Sequence, residues 1–567
     1  MTDTATEKPT DPCIPGRTAK AFLIKPVRWA RRCGAYDVLT VVLFAVLVVL
    51  AFLTFKEYAI SNDELVQHHY GELVLRYYGS GFRDRSVFGF DNLYLYGGLF
   101  DIIAVSLSHL LPIDPYQLRH ILCALIGVGG IAAAAATARL IAGPRAGLIA
   151  AIALSVCGVW YGSMFNHTKD IPFAAAMMGA TLFLIRVVHC LPRPRAGDIA
   201  AFGLLAGAAL GLRVLGLLIF IYVGFAIALE VLQPWPAQGR ARWHFVVESS
   251  WRFVPALLLA YVIMILTWPW AALAPLNPVR GLFAFSEFHY AIRTLLDGKV
   301  YEMAHVPRLY VPTYILIRVP LLTLFGAVLG MAFAVMPRLA AGWTQARQRE
   351  TILIGLTAVF PLACQVIWDG PAFTGLRHFL FVIPALAVLA GIGLDAVVTT
   401  LLARSRMVAF GALAAMSGCF LWNALTLVEL HPYEYLFYNP LVGGLQGASR
   451  RYVLDYWFDS MPEAIHELEA YVQRTDPVSA GRRPVRVYSV AVCGSRLSFE
   501  KTVTLRQLRY DFMPRWDQSQ FFIAPTHMNC DRDLDGKVVG IVNRLGVAIA
   551  YVKDRRALTG PVATATR

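Results

Sequence analysis

Two short acidic stretches sit at the ends of long apolar runs. One is "SNDELVQHHYGE", Ser61–Glu72, which holds Asp63, Glu64, His68, His69 and Glu72. The other is "FNHTKDIPFA", Phe165–Ala174, where Lys169 stands beside Asp170. A carboxylate suits general-base work, taking a proton from a hydroxyl or amine as that atom attacks. A cation beside it holds a phosphate and stabilises the charge that grows as the phosphate leaves. Two carboxylates from different segments, each at a span end, can converge on one site. Further cations interrupt apolar sequence: Arg213 in "LGLRVLGLL", and Arg377 with His378 in "TGLRHFLF". A charge at membrane depth costs about 2.5–3.5 kcal/mol on insertion scales, so it usually has a partner or a role, and these three are candidate phosphate ligands. The loop "FSEFHYAIRTLLDGK" adds Glu287, His289 and Tyr290 as candidate substrate-facing groups. His68 or His69 is a candidate ligand for a divalent metal. Adjacent helical residues point about 100° apart, so one site takes only one of them.

Each residue also has a plainer reading. Asp170, followed by Ile171 and Pro172, makes a good helix start. Lys169 reads equally as an interfacial lysine with a buried stem. Asp63 reads as a solvated loop acid, and the aromatic residues at span ends as the usual interfacial belt.

The elements that must position these residues are membrane helices. Of 567 residues, 57% are hydrophobic and 16% charged. A soluble chain carries about 25% charged residues. Several runs reach the roughly 20 residues that a helix needs to cross a bilayer. The runs are continuous, not alternating, which excludes a barrel. The fold class is a polytopic α-helical membrane protein. About eleven spans are expected, near Asp37–Phe55, Leu118–Ile141, Gly147–Met164, Ile171–Cys190, Ile199–Leu212, Val214–Leu232, Phe253–Leu273, Pro312–Met336, Thr351–Trp368, Leu376–Leu402 and Val408–Val428. The net charge of +14 is concentrated in short loops between runs, so it reports topology and not nucleic-acid binding. Loops such as "RLIAGPRAG" and "RVVHCLPRPRAG" read as cytoplasmic; "FNHTKDIPF" then falls outside.

The expected organisation is a cytoplasmic tail over 1–36, a membrane domain over 37–428, and an extracytoplasmic domain over 429–567. The segment 56–117 is a long outer loop. Residues 92–111 contain Asp101 and read as an in-plane or re-entrant helix, because counting them as a span reverses the loop charges. The C-terminal part, with "RRPVRVYSVAV" and "KVVGIVNRLGVAIAYVK", reads as a small α/β domain. Cys493 and Cys530 lie in it, and their pairing is open. No repeat of fixed period is present.

"NDE" after the first span, a long outer loop, and "KDIPF" at the fourth span together resemble the GT-C superfold glycosyltransferases. The match is to the family 39 branch, with protein O-mannosyltransferases, aminoarabinose transferases and bacterial relatives. "HPYEYLFYNPLVGG", His431–Gly444, also resembles a stretch of those relatives. His167 and Thr168 depart from the pattern Asn-Pro-Lys-Asp-Ile-Pro of many of them. The resemblance implies a sugar donor on a polyprenyl phosphate and a single inverting displacement. It implies a glycan, lipid or protein acceptor approaching from outside, in a bacterial inner membrane. By position it makes Asp63 the catalytic carboxylate and Asp170 the second acid, which orients the acceptor or assists the base. Lys169 becomes a neighbour of the donor phosphate, and Glu64 a supporting or acceptor-orienting group or a metal ligand. Metal use is open, since some relatives use an ion and others do not.

Three other readings compete. A transporter or flippase concentrates polar groups near the bilayer midplane, in broken helices. A polymerase or ligase shares the lipid-linked donor. A non-catalytic subunit keeps the fold and tolerates loss of both acids. The sugar and the acceptor leave no readable motif.

Overall fold

The computed structural model describes residues 34–232, 239–286, 292–336, 342–368, 370, 372–476 and 486–559. The expected tail up to residue 33, and Glu287, His289 and Tyr290, lie outside the described residues.

The chain enters the bundle through α1 (Ala35–Thr54), apolar on every face. Then follow α2 (Asn62–Gly79), the short α3 (Leu99–Ser108) and α4 (Pro115–Ala142). Next come α5 (Pro144–Ser155), α6 (Gly158–Asn166), α7 (Asp170–Val188), α8 (Ala196–Leu210), α9 (Leu218–Val231) and α10 (Gly239–Thr267). The membrane part closes with α11 (Tyr310–Arg318), α12 (Leu321–Val335), α13 (Gln345–Trp368), α14 (Ile383–Arg404) and α15 (Arg406–Leu430).

Among the described residues, eight helices are long and apolar enough to cross a bilayer. The number is up to ten if each bent pair counts as one span: α5 with α6 at 65°, and α11 with α12 at 114°. The second bend falls at Val319–Pro320, where proline lacks the amide that would continue the helix. The expected span at Ile199–Leu212 is α8, a helix of 15 residues. The segment 92–111 yields α3, whose 10 residues reach only about 15 Å, half a hydrocarbon core.

Burial orders the bundle from centre to rim. In the span Arg377–Arg404, 89% of the apolar window is buried, against 11% for α1. Small residues let the inner helices meet. A Cβ on Gly127 of α4 would sit 2.6 Å from Met164 of α6, and one on Gly130 would sit 2.6 Å from Trp160. Without a hydrophobic driving force between helices in lipid, such close backbone approach is the main source of packing energy. At one end of the bundle the basic loops are tied to acids: Arg139 to Asp37 at 2.7 Å, Arg145 to Asp395 at 2.7 Å and Arg186 to Asp198 at 2.8 Å.

After α15 the chain crosses the other end of the bundle through residues 431–460, then forms α16 (Met461–Thr475) and a sheet. A short hairpin, β1 (Arg293–Leu296) with β2 (Lys299–Glu302), precedes it in the chain. The main sheet has β3 (Tyr488–Val492), β4 (Leu508–Asp511), β5 (Phe521–Pro525), β6 (Lys537–Arg544) and β7 (Val547–Asp554) in the order β4-β3-β5-β7-β6. β3 pairs parallel with β4 and β5, while β7 pairs antiparallel with β5 and β6. The β6–β7 turn places Leu545 at φ 49° and Gly546 at φ 76°, as a tight two-residue hairpin turn requires. Cys493 and Cys530 are joined as a disulfide. The small α/β unit expected from the sequence is therefore present.

Candidate active site

The site forms where four helix or turn starts meet. α2 begins with a capping box: Glu64 Oε2 accepts from the Ser61 amide at 2.8 Å and from the Ser61 hydroxyl at 3.2 Å. His120 of α4 holds the same carboxylate at 3.1 Å. Glu64 is fully buried. It fixes the first turn of α2, and so the position of its neighbour Asp63.

Asp170 is the first residue of α7, and its side chain makes no capping bond. Its carboxylate lies between two guanidiniums. Arg213, which stands before the turn Val214–Leu217, pairs with one oxygen. Arg377 Nε, at the start of the turn Arg377–Val382, donates to the other at 2.8 Å. Arg377 also pairs with Asp63 through Nη2. Thus one guanidinium bridges the two acids that the sequence singled out. The Asp170 side chain is 3% exposed and that of Asp63 37%. Arg377 lies over the Trp457 ring, 4.4 Å from its centroid.

Lys169 packs beside this centre. Its ammonium is 3.8 Å from Asp101 Oδ2 and 4.6 Å from the Tyr96 ring centroid. Burial pushes its pKa below the usual lysine value, against the opposing pull of Asp101. Arg119 of α4 ties the surrounding pieces together by donating to Asp101 at 2.8 Å, Thr168 at 2.9 Å and Gln67 at 3.0 Å. Among the described residues, Lys169 Nζ and Arg213 Nε are buried without a hydrogen-bond acceptor.

Two spaces flank the charges. An apolar cavity of about 510 Å³ lies between α3, α4, α7 and α8, lined by Leu99, Phe100, Ile126, Pro172, Leu205 and Leu212 among others. Its lining includes Pro172, two residues after Asp170 in the chain, and Leu212, which precedes Arg213. A smaller polar pocket is lined by Ser163, His167, Arg318, Thr374, Arg377 and Tyr456.

Residues 110–270 match the family model described as dolichyl-phosphate-mannose-protein mannosyltransferase. Over that stretch the chain matches a glycosyltransferase family. The matched residues include Lys169, Asp170 and Arg213, and leave Asp63 and Arg377 outside. The family resemblance read from "KDIPF" is borne out there. Among solved structures, the chain is similar to ArnT from Cupriavidus metallidurans bound to undecaprenyl phosphate, with 16% identity over 95% of this chain and 100% of that one, TM-score 0.45. It is also similar to AglB from Archaeoglobus fulgidus in complex with an inhibitory peptide and a dolichol phosphate, with 12% identity over 85% of this chain and 69% of that one, TM-score 0.42. No curated protein matches the chain significantly in sequence.

The structure brings together Asp63, Asp170, Arg213 and Arg377. His378 lies within electrostatic reach of Asp170 and both arginines, with its ring 4.6 Å from Phe373. His68 and His69 do not join this group. Both face Glu72, at 3.6 and 3.1 Å. Among the described residues, only Cys493, Cys530 and Asp533 cluster as a set of three potential ligands, and the two sulfurs are joined to each other.

The sequence reading missed the C-terminal wall. His167 donates from Nδ1 to Asn166 Oδ1 at 3.1 Å, and Nε2 accepts from the Tyr456 hydroxyl. Burial pushes His167 down to about 3, which keeps it neutral, and the acceptor Asn166 Oδ1 selects that tautomer. The Trp457 ring packs against His167 at 4.1 Å between centroids, tilted by 44°. The turn that presents Tyr456 and Trp457 is closed by Asp455, which accepts from the Asp459 amide at 2.7 Å and the Ser460 amide at 3.1 Å. The sequence reading also missed Arg119 and His120, although both stand as basic residues at the start of an apolar run. "YWFDS" carries no signal that points to a site more than 280 residues away in the chain.

Proposed function

We propose that this chain is an inverting glycosyltransferase that moves a sugar from a polyprenyl-phosphate donor to an acceptor. It works at the extracytoplasmic face of a bacterial inner membrane, with its N-terminus in the cytoplasm and residues 429–567 outside. The observation that carries this reading is the convergence of Asp63 and Asp170 on Arg377, with an apolar cavity whose lining includes Pro172 and Leu212. The cavity suits a prenyl chain. Arg213 and Arg377, with Arg213 Nε and Lys169 Nζ buried close by without a hydrogen-bond acceptor among the described residues, suit the phosphate. In the reaction, the acceptor oxygen or nitrogen forms a bond to the anomeric carbon. The bond from that carbon to the phosphate oxygen breaks, and the phosphate leaves with the electron pair. Asp63, the more exposed acid, takes the acceptor's proton. Asp170 orients the two arginines.

A transporter is disfavoured because the charged groups stand at the ends of spans, at Asp170, Arg377 and just before Val214, and not near the middle of them. The test uses membranes containing the protein and radiolabelled polyprenyl-phosphate sugars. Wild type transfers label to an acceptor, and Asp63→Asn, expressed at the same level, transfers at least about a hundredfold less. Undiminished transfer by the variant removes Asp63 as the base. No use of any lipid-linked sugar by wild type removes the donor class.

A further inference from the structure

In the structure as it stands, Asp63 is not free to act as a base. Its carboxylate is engaged by Arg377. The centre is balanced: the guanidiniums of Arg213 and Arg377 face the carboxylates of Asp63 and Asp170. A donor phosphate brings one more negative charge and needs those same guanidiniums. Asp63 and Asp170 already share Arg377, and a third negative group in this largely buried site adds repulsion, so one must give way.

The geometry decides which one. Asp170 is held from both sides and is 3% exposed, so releasing it would strand a buried charge. Among the described residues Asp63 has Arg377 as its salt-bridge partner, with Lys169 in electrostatic reach, and a 37% exposed side chain, so water receives it at lower cost than Asp170. Arg377 itself stays in place. Its Nε remains on Asp170, and Trp457 holds its plane from behind at 4.4 Å.

We infer that the donor phosphate switches the base on: it displaces Asp63 from Arg377 and leaves that carboxylate unpaired at the open rim of the site. This rests on the polyprenyl-phosphate reading above and adds an order to it. Without donor, Asp63 is latched and cannot activate an acceptor. With donor bound, its lone pair is free as the acceptor arrives. After transfer the proton passes from Asp63 to solvent. When the product polyprenyl phosphate departs, Arg377 takes Asp63 back.

The consequence runs against ordinary expectation for a catalytic residue. Asp63 competes with the phosphate for Arg377, so its neutralisation strengthens lipid binding while it abolishes transfer. The experiment measures binding of polyprenyl phosphate, without sugar, to the purified full chain in nanodiscs. Asp63→Asn is expected to bind roughly five- to tenfold more tightly than wild type, and Arg377→Gln to bind more weakly than wild type. Asp63→Ser serves as a second variant if the Asn form does not fold. Equal or weaker binding by the Asp63 variants, with wild-type binding intact, overturns the latch and leaves the donor reading standing. Failure of folded wild type to bind polyprenyl phosphate overturns both.

Discussion

At the residue scale, the arrangement turns on one guanidinium. Arg377 touches both acids and is itself held by a ring from the C-terminal wall. Stacking under a desolvated cation is worth about 0.5–2 kcal/mol, so Trp457→Leu is expected to cut kcat/KM by roughly three- to thirtyfold. Trp457→Phe, which keeps a ring face, should recover most of that loss. A melting curve separates this effect from unfolding, because Trp457 is also 5% exposed and packs against His167. Equal loss in both variants would mean that Trp457 acts through packing volume, not through Arg377.

At the element scale, the site depends on where helices begin. α2 starts where it does because Ser61 and Glu64 satisfy each other's backbone needs, and that start fixes Asp63. A second fastening holds the end of α1 to the chain beyond α15. His431 lies between Glu57 and Glu434, with the contact to Glu434 at 2.6 Å. Tyr58 donates to Glu434 at 3.0 Å. The hydrogen bond to Glu434, aided by Glu57, raises His431 from 6.5 to about 9. The folded state thus favours the protonated ring. Its stabilisation is complete below pH 6.5 and is lost as pH rises through about 9. The expected gap in stability between wild type and His431→Gln is roughly 1–2 kcal/mol at pH 6 for this half-open site. It should shrink toward zero above pH 9.5 or so, as thermal melts in detergent across that range would record. A gap independent of pH would mean that the imidazole contributes by shape alone.

At the scale of the whole molecule, the sheet region is fastened to the site. The disulfide joins Cys493 at the end of β3 to Cys530 in the turn after β5. Asn529 and Asp531 from that turn accept from Arg450 at 2.6 and 2.8 Å. The Leu454 amide donates to His527 Nδ1 at 3.4 Å. The segment so held runs directly into Tyr456 and Trp457. Closing a 37-residue separation limits the unfolded chain, and Cys493→Ser is expected to lower stability by about 2–4 kcal/mol. The check is a melt of wild type and variant with and without reductant. If reductant shifts both alike, the bond contributes nothing.

The sequence by itself determined the membrane class, most helix positions, the strand content of the C-terminal part and the identity of the two acids. These are local signals: apolar run length, charge at run ends and β-branched alternation all act within one element. The sequence also placed Arg213 and Arg377 among the candidates, because a charge inside an apolar run needs a partner. Only the tertiary structure decided that the partners are Asp170 and Asp63, and that Glu64 serves as a cap. It also decided that His68 and His69 turn to Glu72. Nor does any local pattern announce the wall built by His167, Tyr456 and Trp457. Those contacts join residues hundreds of positions apart, and the physical reason they form is the shared burial of one charged centre, which no single stretch of chain encodes.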